Sequence, residues 1–409
     1  MDTFSKLRIA EIKPALRCTL LALVAVWFVA PGSAATTNAS LRASLQRDLD
    51  SYLSRRAKLE HISAISLSVS LHGVPQNINV TAGTTAYGGN KPVTSANLWQ
   101  IGSNTKAFTA VTILQLEANG KLTIDQTVGH WLPQYPAWKN VTIRQLLNMT
   151  SGIPTYDKTH ALLQDYAKDP KRVFSNKELV GYVYPPGGNA PPSKPGYFYS
   201  NTNYLLADMI VERASGESYS NEVRRLFSDV GLKSTYYATD FYPSAIRARM
   251  VSGYYFYHEP DEAPLAPILG RDVRDDSVSW MQAAGGIVST PEDLTRWARA
   301  LYTGDILAAK QRAELTTLVS TKSGKPIAKI SVKDPSGFGL GVAQTTTPQT
   351  GTVWSYEGET LGYRMVHLYF PRQDAVIAFA LNSDPDSKED HSSKLAISIY
   401  NTLHAAGKL

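Results

Sequence analysis

The strand-like segments of this chain lie toward its two ends, while the stretch between about residues 125 and 280 carries helix and loop signals. In residues 64–71, Ile65, Leu67, Val69 and Leu71 alternate with Ser66, Ser68 and Ser70, the period-two pattern of a half-buried strand. Gly73 to Pro75 then turns the chain toward a second strand. Near the other end, Tyr363–Phe370 and Ala375–Leu381 read as strands, followed by a helix near Lys394–Leu403. The middle holds Pro185-Pro186-Gly187-Gly188-Asn189-Ala190-Pro191-Pro192, which cannot pair within a central sheet. Strands and helices are thus segregated rather than laid out in strict βαβ repeats. That predicts an α+β fold, an antiparallel sheet flanked by helices plus a mainly helical region.

Three helices have sharp signals. Leu41, Leu45, Leu49, Tyr52 and Leu53 make one apolar face over residues 41–56. From Ser103, the residues Ala107, Phe108, Val111, Leu114 and Ala118 share a face, and Gly120 is placed to close that helix. Thr290-Pro291-Glu292-Asp293 combines a capping threonine, a first-turn proline and two acids ahead of Leu294, Trp297, Ala298 and Leu301.

The first residues read as an address rather than as fold. Lys6, Arg8, Lys13 and Arg17 precede an apolar run from Leu20 to Ala30, then Pro31-Gly32-Ser33-Ala34. The run is short for a spanning helix, and the small residues suit a signal peptidase, so residues 1–34 are expected to be a signal peptide and the protein periplasmic or secreted. An uncleaved anchor is the alternative reading. The one cysteine, Cys18, lies inside this leader, which leaves residues 35–409 with no disulfide or thiolate metal site. Taking away four basic and two acidic residues lowers the net charge from +6 to +4. The remaining positive charges are scattered among acids, with no basic run to support nucleic-acid binding.

Ser103-Asn104-Thr105-Lys106 opens the second helix, so the hydroxyl and the amine lie one turn apart on the same face. A lysine held among apolar residues loses proton affinity and can take the serine's proton, and the helix start adds NH groups near a developing oxyanion. A capping serine on a solvent-facing helix start would carry the same spacing. Tyr199-Ser200-Asn201 is the second candidate: a tyrosine beside an ammonium can have its pKa lowered into the range of a proton shuttle, and an asparagine amide can bond a substrate carbonyl. A plain loop tyrosine is the alternative there. Other catalytic patterns are missing: no Gly-x-Ser-x-Gly, no His-Glu-x-x-His, no phosphate loop and no Gly-x-Gly-x-x-Gly before a helix. The eight histidines are spread singly, so no metal site and no cofactor are expected.

The two motifs lie in longer segments. Trp99 to Ala110 surrounds the serine, Thr142 to Pro154 follows, and Ala284 to Leu294 and Gly337-Phe338-Gly339-Leu340-Gly341 come later in that order. Together they resemble the serine β-lactamase and penicillin-binding protein family, in its branch of class C β-lactamases, DD-carboxypeptidases and family VIII-type esterases. The resemblance covers the chain from about residue 45 to the end. It implies a β-lactamase/transpeptidase-like fold in which residues 35–409 form a single catalytic domain, with a helical insert at roughly 125–280 and the site between it and an α/β region. It further implies that Ser103 is acylated, that Lys106 and Tyr199 move its proton, and that Asn201 holds the carbonyl side of the substrate.

The family's third motif usually begins with Lys or His and continues with a small residue and Gly; here the matching segment is Tyr356-Glu357-Gly358. On a strand, Tyr356 and Gly358 would face the site, Gly358 leaving room for substrate and the NH of Glu359 completing an oxyanion hole with that of Ser103. The cation is missing. A tyrosine cannot offer a charge-assisted bond to a substrate carboxylate, a loss of about 1 kcal/mol, unless Arg364 supplies the charge. The expected activity is an acyl-transfer hydrolase acting on esters or amides, β-lactam-like or D-amino-acid peptide-like. A true class C-type β-lactamase or DD-carboxypeptidase is one alternative, and a non-catalytic penicillin-recognising binding module is another. The expected partner is a small-molecule or peptide-like substrate.

Overall fold

A computed structural model describes residues 31–185, 187, 190, 194–257 and 260–409, with residues 31–37 described by backbone alone. The expected leader with Cys18 therefore lies outside the described residues, apart from its last four positions. Those positions begin helix α1, Pro31–Arg56. Among the described residues no helix is long and apolar enough to cross a membrane.

Nine strands form one antiparallel sheet: β1 (Ala64–Ser70), β2 (Ile78–Gly83), β3 (Leu318–Ser320), β4 (Pro326–Ile327), β5 (Ser336–Phe338), β6 (Ala343–Thr347), β7 (Gly351–Thr360), β8 (Tyr363–Phe370) and β9 (Ala375–Leu381). Their order is β2-β1-β9-β8-β7-β6-β5-β3-β4, so the two ends of the chain meet at the centre, with Leu67 opposite Phe379. The sheet separates two apolar layers. Ile65, Leu67, Val69, Ile377 and Phe379 face outward, where α1 and the last helix (Ser392–Ala405) supply Leu41, Leu45, Leu49, Leu395 and Ile399.

The inner face is different, and it corrects the reading of β1 as half-buried. Ser66 and Ser68 are each only 1% exposed, because a helix, Pro291–Thr303, lies across β1 and β9. Small side chains on this face, Ser66, Ser68, Ala378 and Ala380, leave space for Leu294 and Trp297. Asn77 bridges the hydroxyls of Ser68 and Thr295, so the buried serine at 68 is partnered. The Pro291–Thr303 helix starts as its sequence requires: the Thr290 hydroxyl accepts from the NH of Asp293, and Pro291 occupies the first turn.

Helix α2, Thr105–Ala118, lies between this layer and the helices of the 125–280 stretch. It is buried nearly all round, and its polar side chains Thr109 and Thr112 are held by hydrogen bonds within that packing. Phe108 stacks on Trp297 at 3.7 Å on one side, and Thr202–Ser215 packs against the other. Gly120 ends it in the left-handed region, with φ +69°, its NH bonded to Glu117 O. Among the described residues between 125 and 280 the regular elements are helices, the longest being Thr202–Ser215 and Tyr219–Val230, and two-residue strands.

Candidate active site

Ser103 sits in a 3₁₀ turn, Gly102–Asn104, that runs directly into α2. Two structures grip this turn. On one side Ile101 NH bonds to Ile287 O, so the small ladder of Trp99–Gln100 with Ile287–Ser289 delivers the chain to it. On the other side β7 comes into direct contact. Gly102 has φ +50°, and a β carbon on it would lie 2.5 Å from Glu359 O. A β carbon on Gly358 would lie 2.0 Å from Ile101 O and 2.8 Å from Ser103 N. Two glycines, one from each partner, are what allow the strand and the nucleophile turn to touch. The space beside Gly358 is thus filled by the serine's own backbone rather than kept for substrate, which corrects the expectation for that residue.

Asn104 completes the grip and had no place in the sequence reading beyond its motif. It is 2% exposed, and its Nδ2 donates to Ile101 O at 3.1 Å and to Met365 O at 2.8 Å on β8. Its Oδ1 is therefore the acceptor of a 2.7 Å bond from His367 Nδ1. Burial lowers the pKa of His367 to about 4, so the ring is neutral and Nδ1 carries the proton.

Lys106 is fully buried on the next turn, and its Nζ is 2.8 Å from Ser103 Oγ and 2.8 Å from Ala284 O. The rings of Tyr199 and Tyr204 stand 5.0 and 5.4 Å from the amine. Burial lowers its pKa to about 7, and the charge of Asp157 opposes the shift. The sequence segments that looked like scaffold explain themselves here. Ala284-Gly285-Gly286 presents the carbonyl for the amine, and Gly341, at φ +72°, passes so close that a β carbon would lie 2.7 Å from Lys106 O.

Tyr199 reaches Ser103 from the helical side. It belongs to the turn that leads into the helix Thr202–Ser215, and Phe198 NH is tied to Met149 O in the Thr142–Pro154 segment. Its hydroxyl donates to Ser103 Oγ at 2.7 Å and lies 3.3 Å from the Tyr356 hydroxyl. The sequence reading had a nearby ammonium lowering the tyrosine's pKa. The structure reverses that: burial of the hydroxyl raises it, against the lowering pull of the bonds to Ser103 and Tyr356, so Tyr199 is neutral around pH 7. Tyr356 is raised too, chiefly by burial. The group poised near neutrality is Lys106.

Asn201 lines the same cleft, its Nδ2 donating to Asp157 Oδ2 at 2.7 Å while its Oδ1 has no partner among the described residues. Glu359 contributes backbone at the Gly102 contact, whereas its side chain lies on the outer sheet face near Glu357 and Asp390. Arg364 does not enter the site. It lies on β8, not on β7, is 1% exposed, and is held by Glu60 at 2.9 Å, Asp390 at 2.5 Å and Ser383 O. The missing cation of the third motif is not restored there.

These groups line a cavity of about 1140 Å³ that also takes in the outer sheet face, where Val353, Val366, Phe370 and Tyr400 border it. Tyr197, Phe338 and Tyr356 form one wall, with ring centroids 5.7 and 5.9 Å apart in succession, and Leu162, Tyr166 and Trp280 line the helical side.

Residues 50–401 match the Beta-lactamase family model. The chain is 26% identical over 310 residues to penicillin-binding protein 4* of Bacillus subtilis, covering 74% of this chain and 64% of that protein. It is 26% identical over 270 residues to a beta-lactamase of Providencia stuartii, covering 65% of this chain and 62% of that one. The chain thus spans a little under two thirds of the length of each of these relatives. Among solved structures, the D-amino acid amidase of Ochrobactrum anthropi SV3 complexed with L-phenylalanine superposes with a TM-score of 0.73 at 23% identity, over 89% of this chain and 99% of that one. The fold is therefore β-lactamase/transpeptidase-like.

Proposed function

Since this chain belongs to the beta-lactamase family, whose members are serine hydrolases, we propose that it is an exported hydrolase of esters or amides that works through an acyl-enzyme on Ser103. The observation that carries this reading is the convergence of two proton carriers on one hydroxyl: Ser103 Oγ lies 2.8 Å from Lys106 Nζ and 2.7 Å from Tyr199 Oη. With a pKa of about 7, roughly half of Lys106 is free amine at neutral pH and can accept the serine proton. Ser103 Oγ then attacks the carbonyl carbon, and the NH groups of Ser103 and Glu359, brought together by the paired glycines, receive the oxyanion. Tyr199, neutral, gives its proton to the leaving oxygen or nitrogen, and its phenolate takes one back from the Lys106 ammonium, which stands 5.0 Å from the tyrosine ring centroid, so both groups end neutral. Water repeats the sequence in reverse to free the acyl group and Ser103.

The substrate class follows from what surrounds these groups. Tyr356 puts a neutral hydroxyl where a cation would grip a carboxylate, and Arg364 is committed elsewhere. That weighs against β-lactams and D-Ala-D-Ala peptides and toward esters and amides without a carboxylate beside the scissile bond. An assembled Ser103, Lys106 and Tyr199 also weighs against a binding module that has lost its chemistry. The test is turnover of a neutral activated ester with fluorophosphonate labelling read by intact mass. Ser103→Ala is expected to abolish both, and a variant as active as its parent would overturn the reading.

A further inference from the structure

The outer face of the sheet carries a groove whose side chains take no part in the chemistry at Ser103. Its floor is β7 and β8, and its walls are the Ser392–Ala405 helix on one side and the β6–β7 hairpin on the other. Along the floor the side chains change character in one direction. Val353 and Phe370 lie at one end, and Glu357 and Glu359, opposite Val366 and Arg364, lie at the other. The helix adds Ala396, Tyr400 and Ile397, the last 40% exposed. Tyr400 stacks on Phe370 at 5.8 Å and its hydroxyl donates to Gln349 O at 2.9 Å, while Gln349 Nε2 donates to Asn401 Oδ1 at 2.9 Å. Hairpin and helix therefore meet, and the apolar end is closed.

The open end is acidic and uncompensated. Carboxylate oxygens of Glu357, Glu359 and Asp390 all lie within 4.8 Å of one another. Arg364 is spent on Glu60 and Asp390, and among the described residues no Lys, Arg or His is paired with Glu357 or Glu359. Burial, then the charges of Glu359 and Asp390, raise Glu357 to about 7, as befits a carboxyl facing a partly dehydrated groove. The floor also selects the kind of molecule that fits. β7 is hydrogen-bonded to β6 over Gly351–Trp354 and to β8 over Trp354–Thr360, so the apolar end offers no backbone NH or carbonyl for a peptide to pair with. A peptide backbone laid there would lose its water without gaining partners, whereas a hydrocarbon chain has none to lose. A blind apolar end suits a chain terminus, and the distance along the strand from Val353 to Glu357, about 13 Å, is the reach of a chain of about ten carbons.

We propose that this groove binds a single-chain amphiphile with a primary ammonium head, the alkyl chain lying on Val353, Phe370 and Tyr400 and the ammonium between Glu357 and Glu359. The site lies on the face of β7 opposite to Tyr356 and stands apart from the hydrolase reading.

The experiment is isothermal titration calorimetry at pH 8 and low salt with decylammonium, octylammonium, octanol and octanoate, each below its micelle-forming concentration. Decylammonium is expected to bind once per chain and about tenfold more tightly than octylammonium, the worth of two buried CH₂ groups. Octylammonium is expected to bind about tenfold more tightly than octanol, and octanoate not to bind. Glu357→Gln is expected to remove most of the preference for octylammonium over octanol while leaving the dependence on chain length. Ala396→Trp, which fills the groove from the helix, is expected to weaken decylammonium by about tenfold or more. Melting temperatures close to the parent's report that the variants are folded, and if one is not, the other decides. Decylammonium binding left unmoved by the folded variants would put the ligand in the catalytic cleft and overturn the proposal, as would octanoate binding as tightly as octylammonium. A dimeric parent that Ile397→Glu converts to a monomer would assign the groove to a second copy of this chain and overturn it too. No ester turnover enters this assay, so the hydrolase reading stands or falls separately.

Discussion

The burial of Lys106 sets a pH profile that an ordinary lysine could not produce. Nζ is enclosed by Ser103 Oγ, Ala284 O and the rings of Tyr199 and Tyr204, with no carboxylate paired to it, and its pKa falls to about 7. If the free amine is the base, kcat/KM for a neutral ester tracks the fraction deprotonated, about 1% at pH 5 and about 90% at pH 8. The expected gain is roughly 90-fold over those three pH units, with a unit slope below pH 6 and a plateau above pH 8. The assay is initial-rate hydrolysis of para-nitrophenyl acetate with the spontaneous rate subtracted, run in buffers of constant ionic strength. Tyr199 adds no limb in this range because its hydroxyl is raised, and His367, lowered to about 4, is already neutral. Lys106→Arg keeps the charge but cannot give it up near neutrality, and is expected to lose about 10²-fold or more with no plateau. A parent rate still climbing tenfold per unit between pH 8 and 10 would show a lysine of ordinary pKa, and the proton-transfer assignment would fall.

The same burial has a stability consequence. Between pH 7 and 10.5 the unfolded chain holds the Lys106 proton more tightly than the folded one, so parental stability rises with pH across that window, and the amine costs about 5 kcal/mol well below it and about 4 kcal/mol at pH 7. Lys106→Met removes this cost and two hydrogen bonds of about 1 kcal/mol each, so the variant is expected to be about 2 kcal/mol more stable at pH 7, and in denaturant titrations the advantage should disappear near about pH 9 and be reversed by about pH 10.5. Gly358→Ala forces a β carbon to within 2.0 Å of Ile101 O, and is expected to lower stability by about 1–3 kcal/mol and ester turnover by more than about tenfold, read by thermal melts and initial rates. Tyr356→Lys restores a cation and is expected to raise acylation by nitrocefin relative to the neutral ester by about fivefold, the worth of one charge-assisted bond, as measured by stopped-flow acylation rates.

Much of the architecture could be read before any coordinates, for a definite reason. The strands Tyr363–Phe370 and Ala375–Leu381 and the Pro291–Thr303 helix are bounded by local signals, period-two runs and a capping threonine with a first-turn proline, which do not depend on distant residues. The serine, lysine and tyrosine were named because they fall in recurrent segments, and the structure brings all three within bonding distance. What escaped depends on contacts across the chain. Ser66 and Ser68 alternate like solvent-facing residues, and only the helix lying over β1 buries them. Arg364 looked free to reach the site until Glu60, 304 residues away in sequence, was seen to hold it. Asp157 has no spacing signal at all, since only the fold sets it beside Asn201.

The substitution at Tyr356 and the burial of Lys106 belong to one electrostatic arrangement. With a second lysine on β7, repulsion between the two ammonium groups would itself lower the pKa of Lys106. Tyr356 removes that repulsion, and Asp157 pulls the other way by favouring the ammonium. Depression of the lysine must therefore come from dehydration, which is the first cause of its shift, and the aromatic side chains around Ser103 are the dehydrating agents. A lysine at 356 would depress Lys106 by crowding it with charge, whereas beside Tyr356 the amine keeps a pKa near 7 because it is buried. A site built this way carries no cation at 356 to hold a carboxylate and still keeps an amine poised near neutrality beside Ser103.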